Sequence, residues 1–312
     1  MFKKILFATT ASPSCDHAAH VAFDLAKKYQ SYLLLFHVFG IPNRGFSQSV
    51  VDIRTGQEAP NDSEYESWVI EEMKNTYTRQ LGDYPDSDLK TKAGVPHTEI
   101  LRVARKEDAD LIVMGAHTRE EEIGASRHRN IVGSTMQRVA KSARCPVLIV
   151  SRPCTTCLWY FSNIVFCTDF SKAADYAFKF AFNLASEIGA KLHIFHALDM
   201  SSAYSGKTLG QEEIEEQISQ AKNKIEKRYV SQMKDYDNYA IDVLEGIPYV
   251  EILKFSRKKN GDLIVMAHHT REIDPENAEI GSTVEQVVLR SSCPVASVNR
   301  PDKIGTADEP AS

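Results

Sequence analysis

Gly94-Val-Pro-His-Thr-Glu-Ile-Leu-Arg-Val-Ala-Arg-Lys-Glu-Asp-Ala-Asp-Leu-Ile-Val-Met-Gly-Ala-His-Thr-Arg-Glu120 returns, 152 positions later, as Gly246-Ile-Pro-Tyr-Val-Glu-Ile-Leu-Lys-Phe-Ser-Arg-Lys-Lys-Asn-Gly-Asp-Leu-Ile-Val-Met-Ala-His-His-Thr-Arg-Glu272. Chance does not give that agreement over 27 positions at one offset. The chain is a tandem duplication, and each half is read against the other.

The repeat runs to both ends with a drifting offset. Lys4-Ile-Leu-Phe-Ala-Thr9 matches Asn163-Ile-Val-Phe-Cys-Thr168 at an offset of 159, as His37 matches His196. Gly133-Ser-Thr135 and Cys145-Pro-Val147 match Gly281-Ser-Thr283 and Cys293-Pro-Val295 at 148. The second half is therefore seven residues shorter between His196 and Gly246, and four shorter between Glu272 and Gly281. Length changes are tolerated mainly at the surface, so both places are expected to be loops or element ends.

The 312 residues suit two domains of about 150, each long enough to bury a core. A hydrophobic content of 43% and a charged content of 25% are ordinary for a globular protein. A net charge of −5 gives no basic field for nucleic acid. Met1 to Ala8 has a basic pair but a short apolar run, and reads as a first strand rather than a signal peptide. No stretch reaches the roughly 18 apolar residues of a membrane span. Cys15, Cys145, Cys154, Cys157, Cys167 and Cys293 are scattered, which suggests a reducing cytoplasm rather than a disulfide framework. Cys145 and Cys293 are repeat equivalents that core packing explains.

Short apolar runs at Ile5 to Ala8, Tyr32 to His37, Leu111 to Met114 and Val147 to Val150 read as strands buried on both faces of a parallel sheet, with a weaker strand at Leu89 to Ala93. Helical patterns lie between them. One from Glu64 to Leu81 carries Trp68, Met73, Tyr77 and Leu81 on one face. The second half repeats the order with strands at Ile164 to Cys167, Leu192 to His196, Ile241 to Leu244, Leu263 to Met266 and Val295 to Val298. Strict β-α alternation predicts an α/β fold of two doubly wound, five-stranded parallel-sheet domains. Expected boundaries are 1–151, a linker 152–159, 160–300, and a polar, disordered tail 301–312. The last strands would otherwise leave open edges, so the halves are expected to pack as a pseudo-twofold pair.

In such folds ligands bind beyond the strand carboxyl ends, at the switch point between first and fourth strands. Two loops meet there in each half: Thr9-Thr-Ala-Ser12 with Gly115-Ala-His-Thr118, and Thr168-Asp-Phe-Ser171 with Ala267-His-His-Thr270. The Gly-Ser-Thr triplets open the last helix, and a helix N-terminus suits a phosphate. Ser134 or Ser282 would serve equally as a helix cap without any ligand.

Thr168-Asp-Phe-Ser171, Phe36-His-Val38, Asp110-Leu-Ile-Val-Met-Gly115, Gly133-Ser134 and both Cys-Pro-Val runs together resemble the universal stress protein family, twice over from residue 1 to about 300. A two-domain version is like its tandem, E-type branch. The resemblance implies an adenine-nucleotide alpha-hydrolase-like, Rossmann-like fold, domains paired through strand five, and a cytoplasmic, stress-induced protein that often binds ATP, with Mg²⁺ accompanying it. ATP-binding members carry a Gly-x2-Gly-x9-Gly-(Ser/Thr) loop. This chain departs from it. Thr118 takes the second glycine position and 14 residues precede Gly133; Ala267 and Thr270 take both positions in the second half, with 10 residues before Gly281. A β-carbon there restricts backbone approach to phosphate. The strand-one aspartate survives as Asp169, where the first half has Thr10. The second half is thus the expected nucleotide site, through Asp169, Ala267, His268, His269, Thr270, Gly281, Ser282 and Thr283; Gly115, His117, Gly133 and Ser134 are its first-half counterparts.

Other residues carry weaker signals. His-Thr-Arg-Glu recurs at His117 to Glu120 and His269 to Glu272; its arginines suit phosphate or a neighbouring carboxylate. Cys154-Thr-Thr-Cys157 has the spacing of a zinc knuckle or redox pair but occurs once. A four-thiolate Zn²⁺ site would need a homodimer meeting at the linker, and incidental thiols are the default. His17-x-x-His20 reads as an exposed helix face. No Ser-His-Asp order, carboxylate pair or P-loop points to catalysis beyond slow ATP hydrolysis. The expected function is a nucleotide sensor that signals to a protein partner. The alternatives are a ligand-free scaffold with vestigial sites and, less favoured, a slow ATPase or metal-binding protein.

Overall fold

The computed structural model describes residues 1–12, 15–42, 48–116, 134–152, 161–199, 210–268 and 282–299. The chain divides into two compact units, Met1–Ser151 and Arg152–Ser312. In the first, five parallel strands follow the order β5 (Ser87–Ala93), β2 (Tyr32–Pro42), β1 (Lys4–Ala8), β6 (Leu111–Gly115), β7 (Val147–Val150). In the second, the order is β10 (Tyr239–Glu245), β9 (Lys191–Leu198), β8 (Asn163–Cys167), β11 (Leu263–Met266), β12 (Val295–Ser297). Both sheets are doubly wound α/β sheets, and in both the strand order reverses beside the first strand. The offsets are also the register: Ile5 pairs with Leu33 and Leu111, and Ile164 with Leu192 and Leu263.

The repeated stretch owes its residues to particular constraints. Gly94 and Gly246 have φ of +155° and +139°, and a β-carbon at either would lie 2.6 or 2.9 Å from the Cγ of Glu99 or Glu251. Only glycine fits there. Pro96 and Pro248 then open α4 (Pro96–Lys106) and α8 (Pro248–Lys258), where a proline lacks nothing by having no N–H. Asp110 and Asp262 stand just before β6 and β11. Asp110 Oδ2 accepts the Lys3 and Lys4 amides at 2.8 and 2.9 Å; Asp262 Oδ2 accepts those of Ser162 and Asn163 at 2.7 and 2.9 Å. Each carboxylate clamps the start of strand one to strand four and so sets the switch point.

The remaining described helices are α1 (Asp16–Tyr29), α2 (Ser63–Thr76), α3 (Thr78–Asp83) and α5 (Ser134–Ser142) in the first unit. The second unit has α6 (Lys172–Ile188), α7 (Gln211–Arg228) and α9 (Ser282–Arg290). None of the described helices is long and apolar enough to cross a membrane. Cys145 and Cys293 are buried, in keeping with core packing, whereas His20 is exposed.

Two expectations need correction. Strict alternation fails in the first unit, where β3 (Ser49–Asp52) and β4 (Glu58–Pro60) add an antiparallel pair on the end of β2. The seven-residue length difference falls in that interval, because Tyr77 and Tyr229 already stand at the 152 offset. The extra length in the first unit is thus partly ordered strand. The helix expected from Glu64 to Leu81 breaks at Tyr77, and Trp68 is 53% exposed, stacked on Tyr65 with ring centroids 5.6 Å apart. Met73 and Tyr77 are buried as expected, and Val69, one position along, takes the core-facing place expected of Trp68.

Candidate functional site

At the carboxyl end of the first strand both units build the same brace. Thr9 Oγ1 lies 2.6 Å from the Tyr77 hydroxyl and accepts the Ala11 amide at 3.0 Å. Thr168 Oγ1 lies 2.7 Å from the Tyr229 hydroxyl and accepts the Phe170 amide at 2.9 Å. Ala11 and Phe170 sit at φ of 54° and 61°, a left-handed conformation that costs a non-glycine residue and that the threonine bond holds in place. His37 Nδ1 donates to the Thr9 carbonyl at 2.8 Å, and His196 Nδ1 to the Thr168 carbonyl at 2.7 Å. Burial is the main influence on both rings and holds their pKa below the usual histidine value, against the pull of the carbonyl bond. Each neutral imidazole therefore carries its proton on Nδ1 and keeps Nε2 as an acceptor. The part of Tyr77 and Tyr229 was not foreseen. Their constant offset, shared with the decisive stretch, was the available signal.

Around this shared frame the charges differ. In the second unit Asp169 is exposed at the end of β8, and its Oδ1 accepts the Ser171 amide at 2.9 Å. Ser171 Oγ caps α6 through the Ala174 amide. Lys224 Nζ stands 4.2 Å from the Phe170 ring centroid, and Phe170 leans on His196 at 4.6 Å. Arg228 makes a bidentate pair with Asp175 at 2.7 and 2.8 Å and donates to the Ser171 carbonyl at 3.2 Å. Beyond burial and the carbonyl bond, Asp169 pushes the His196 pKa up and Lys224 pushes it down. In the first unit the position of Asp169 is Thr10, that of Lys224 is Glu72 and that of Arg228 is Thr76. Glu72 is paired with Arg54 at 2.6 Å.

The first unit holds a half-open cavity of about 60 Å³ at its strand ends. Thr9, Thr10 and Gly115 come from the strand ends, Cys15 from the start of α1, Pro96 from α4 and Thr135 from α5. Thr10 Oγ1 lies 2.8 Å from Ser12 Oγ and 3.3 Å from Cys15 Sγ. The fold thus brings Gly115 to a cavity and places Ser134, exposed, at the first turn of the helix beside it. In the second unit Ala267 follows β11, His268 is buried with its amide donating to Asn299 Oδ1 at 2.7 Å, and Thr283 is half-buried in α9, which begins at Ser282. His117, Gly133, His269, Thr270, Gly281, the recurring arginines and the Cys154–Cys157 pair lie outside the described residues. Among the described residues no group of three histidine, cysteine, aspartate or glutamate side chains is placed to hold a metal.

The model of the universal stress protein family matches residues 1–151 and again 161–299. The chain belongs to the universal stress protein family. This universal stress protein is 30% identical over 163 residues to universal stress protein MJ0531 of Methanocaldococcus jannaschii, covering 49% of this chain and 84% of that one. It is 31% identical over 165 residues to MJ0577 of the same organism, covering 49% of this chain and 96% of the other. Each of these relatives corresponds to about half of this tandem protein. A universal stress protein from Archaeoglobus fulgidus matches across both halves, with a TM-score of 0.61 at 21% identity, covering 95% of this chain and 96% of that one. At that identity the likeness speaks for the fold.

Proposed function

We propose that this universal stress protein is a cytoplasmic nucleotide sensor that binds ATP with Mg²⁺ in its second domain and relays the bound state to a protein partner. The observation that carries this reading is the charge set at the end of β8. Asp169 offers carboxylate oxygens suited to a ribose hydroxyl or to Mg²⁺, and Lys224 adds a cation over the neighbouring Phe170 ring. The start of α9 at Ser282 and Thr283 supplies the positive end of a helix dipole for phosphate. At the matching places the first domain has an uncharged Thr10 for Asp169 and an anionic Glu72 for Lys224.

Titration calorimetry with ATP and Mg²⁺ tests the reading. The wild type binds, Asp169→Ala weakens binding about tenfold or more through a lost charged hydrogen bond, and Thr10→Ala leaves it unchanged. Equal losses from the two substitutions would remove the asymmetry. A wild type that binds no nucleotide would leave the ligand-free scaffold.

A further inference from the structure

We infer that the exposed aromatic pair on α2 is a docking surface for an arginine-bearing segment of a protein partner, which lays a guanidinium on Trp68 and pairs it with the carboxylates beside that ring. A single apolar residue in solvent needs no explanation, but this one is held in place and flanked by one sign of charge. Trp68 is 53% exposed. Tyr65 covers one face of its indole, with ring centroids 5.6 Å apart and planes 26° apart, which leaves the other face to water. Glu64 and Glu71 stand four positions before and three after Trp68, on the same side of the helix, and both are exposed. Glu71 shares its charge with Lys74 at 2.7 Å, whereas Glu64 has no ion pair among the described residues. An indole face attracts a cation, and a guanidinium can lie flat on it while its N–H edge bonds a carboxylate. A lysine ammonium has no such plane.

The platform is propped by the segment that separates the halves. His37 and Tyr77 are 40 positions apart, His196 and Tyr229 only 33, and β3 with the turn after it lies in the longer interval. Tyr65 is fixed at both ends: its ring meets the edge of Phe39 at 5.8 Å, and its hydroxyl donates to Asp52 Oδ2 at 2.8 Å. Asp52 is buried, and its Oδ1 accepts the Arg54 amide at 2.9 Å, the Thr55 amide at 2.7 Å and the Thr55 hydroxyl at 3.0 Å. Burial alone would raise the Asp52 pKa, but these bonds outweigh it and hold the carboxyl below its usual range. Burial, then the bond to Asp52, pushes the Tyr65 pKa up to about 12, so the hydroxyl keeps the proton it donates. The cation of the turn, Arg54, is engaged by Glu72 at 2.6 Å, which offsets its repulsion of a guest cation. At the 152 offset the second half has Gln217 for Tyr65, Gln220 for Trp68 and Asn223 for Glu71, and keeps only Glu216 for Glu64. The aromatic platform therefore belongs to the first half alone.

The test uses the full chain and two capped peptides of equal charge, hexa-arginine and hexa-lysine. Anisotropy of the labelled peptides gives their affinities. Emission of the unlabelled mixture in a Trp159→Phe background, where Trp68 is the remaining tryptophan, reports contact at the ring. The arginine peptide shifts Trp68 emission and binds about two- to fivefold more tightly than the lysine peptide. Trp68→Ala brings the two affinities together. Glu64→Gln weakens arginine binding by up to about fivefold at low salt and less at high salt. Both substituted side chains are exposed, so the core is untouched, and thermal melts confirm that each variant folds. Equal affinity for the two peptides in the wild type would reduce the surface to a diffuse acidic field and overturn the inference. Absence of binding, binding that leaves Trp68 emission unchanged, or an arginine preference that survives Trp68→Ala would overturn it as well. Nucleotide is left out of every sample, so none of these outcomes depends on whether the second domain binds ATP.

Discussion

His193 lies in the middle of β9, only 3% exposed, with Nε2 at 3.5 Å from Asn163 Oδ1 and Nδ1 without a hydrogen-bond partner among the described residues. Its repeat equivalent is Leu34, an ordinary core residue. Burial chiefly, then Lys259 and Lys191, lower its pKa to about 4, against the opposing pull of Asp242. The ring resists a proton in the folded state that the unfolded chain accepts below about 6.5. Stability is therefore full above that pH and falls as pH drops toward about 4, by roughly 3 kcal/mol at 1.36 kcal/mol per unit. His193→Leu, which restores the residue of the first half, should remove this part of the acid loss and add about 1 kcal/mol near neutral pH by eliminating an unsatisfied buried polar group. Denaturant titrations of both proteins between pH 4 and pH 7.5 read it out. Parallel pH profiles would show that the histidine titrates normally in the fold.

Among the elements, the clamp between strands one and four matters most, because it sets the switch point of each unit. Asp262 is buried and bonds the two amides that start β8. Asp262→Ala leaves both amides without that acceptor and should cost about 2–3 kcal/mol. Denaturant melts measure the loss, and hydrogen exchange at Ser162 and Asn163 locates it, since those amides should exchange faster while α7 amides hold. A loss under about 0.5 kcal/mol would mean that water replaces the carboxylate without cost. The same comparison between halves explains why the helix expected from Glu64 to Leu81 breaks. Tyr77 has to turn its hydroxyl onto Thr9, and the helix restarts after it. A tertiary bond there outweighs local periodicity.

For the molecule as a whole, duplication preserved a frame and let its charges diverge. Strand order, register and the Thr-Tyr-His brace are common to both units. The residues around the brace are not: Glu72 stands where Lys224 does, and Thr10 where Asp169 does. Exchanging one residue between halves should therefore move ligand preference. Lys224→Glu should weaken ATP binding by the second domain several-fold at low salt, and the difference from wild type should shrink as salt rises, since Lys224 is exposed and its field is screened. Calorimetry at two ionic strengths checks both parts; a salt-independent loss would point to packing against Phe170 instead of charge.

The sequence by itself determined that the chain is a duplicated α/β protein. The apolar runs, the constant offsets and the Asp-Leu-Ile-Val-Met signature are local patterns, and a parallel sheet buried on both faces leaves few other readings for them. It also placed Gly115 and Asp169 at strand ends, because switch-point position follows from strand order. It did not show which residues meet there. Tyr77 comes 68 positions after Thr9, and Ile53 reaches the cavity through a turn that a buried aspartate organises. Hydrogen bonds and cavities between distant segments leave no period in a sequence, and two antiparallel strands of three and four residues are too short to declare one. Only the tertiary structure separated a charged strand end in the second half from an apolar cavity in the first. That difference is made by side chains converging from separate elements, and chain spacing says nothing about convergence.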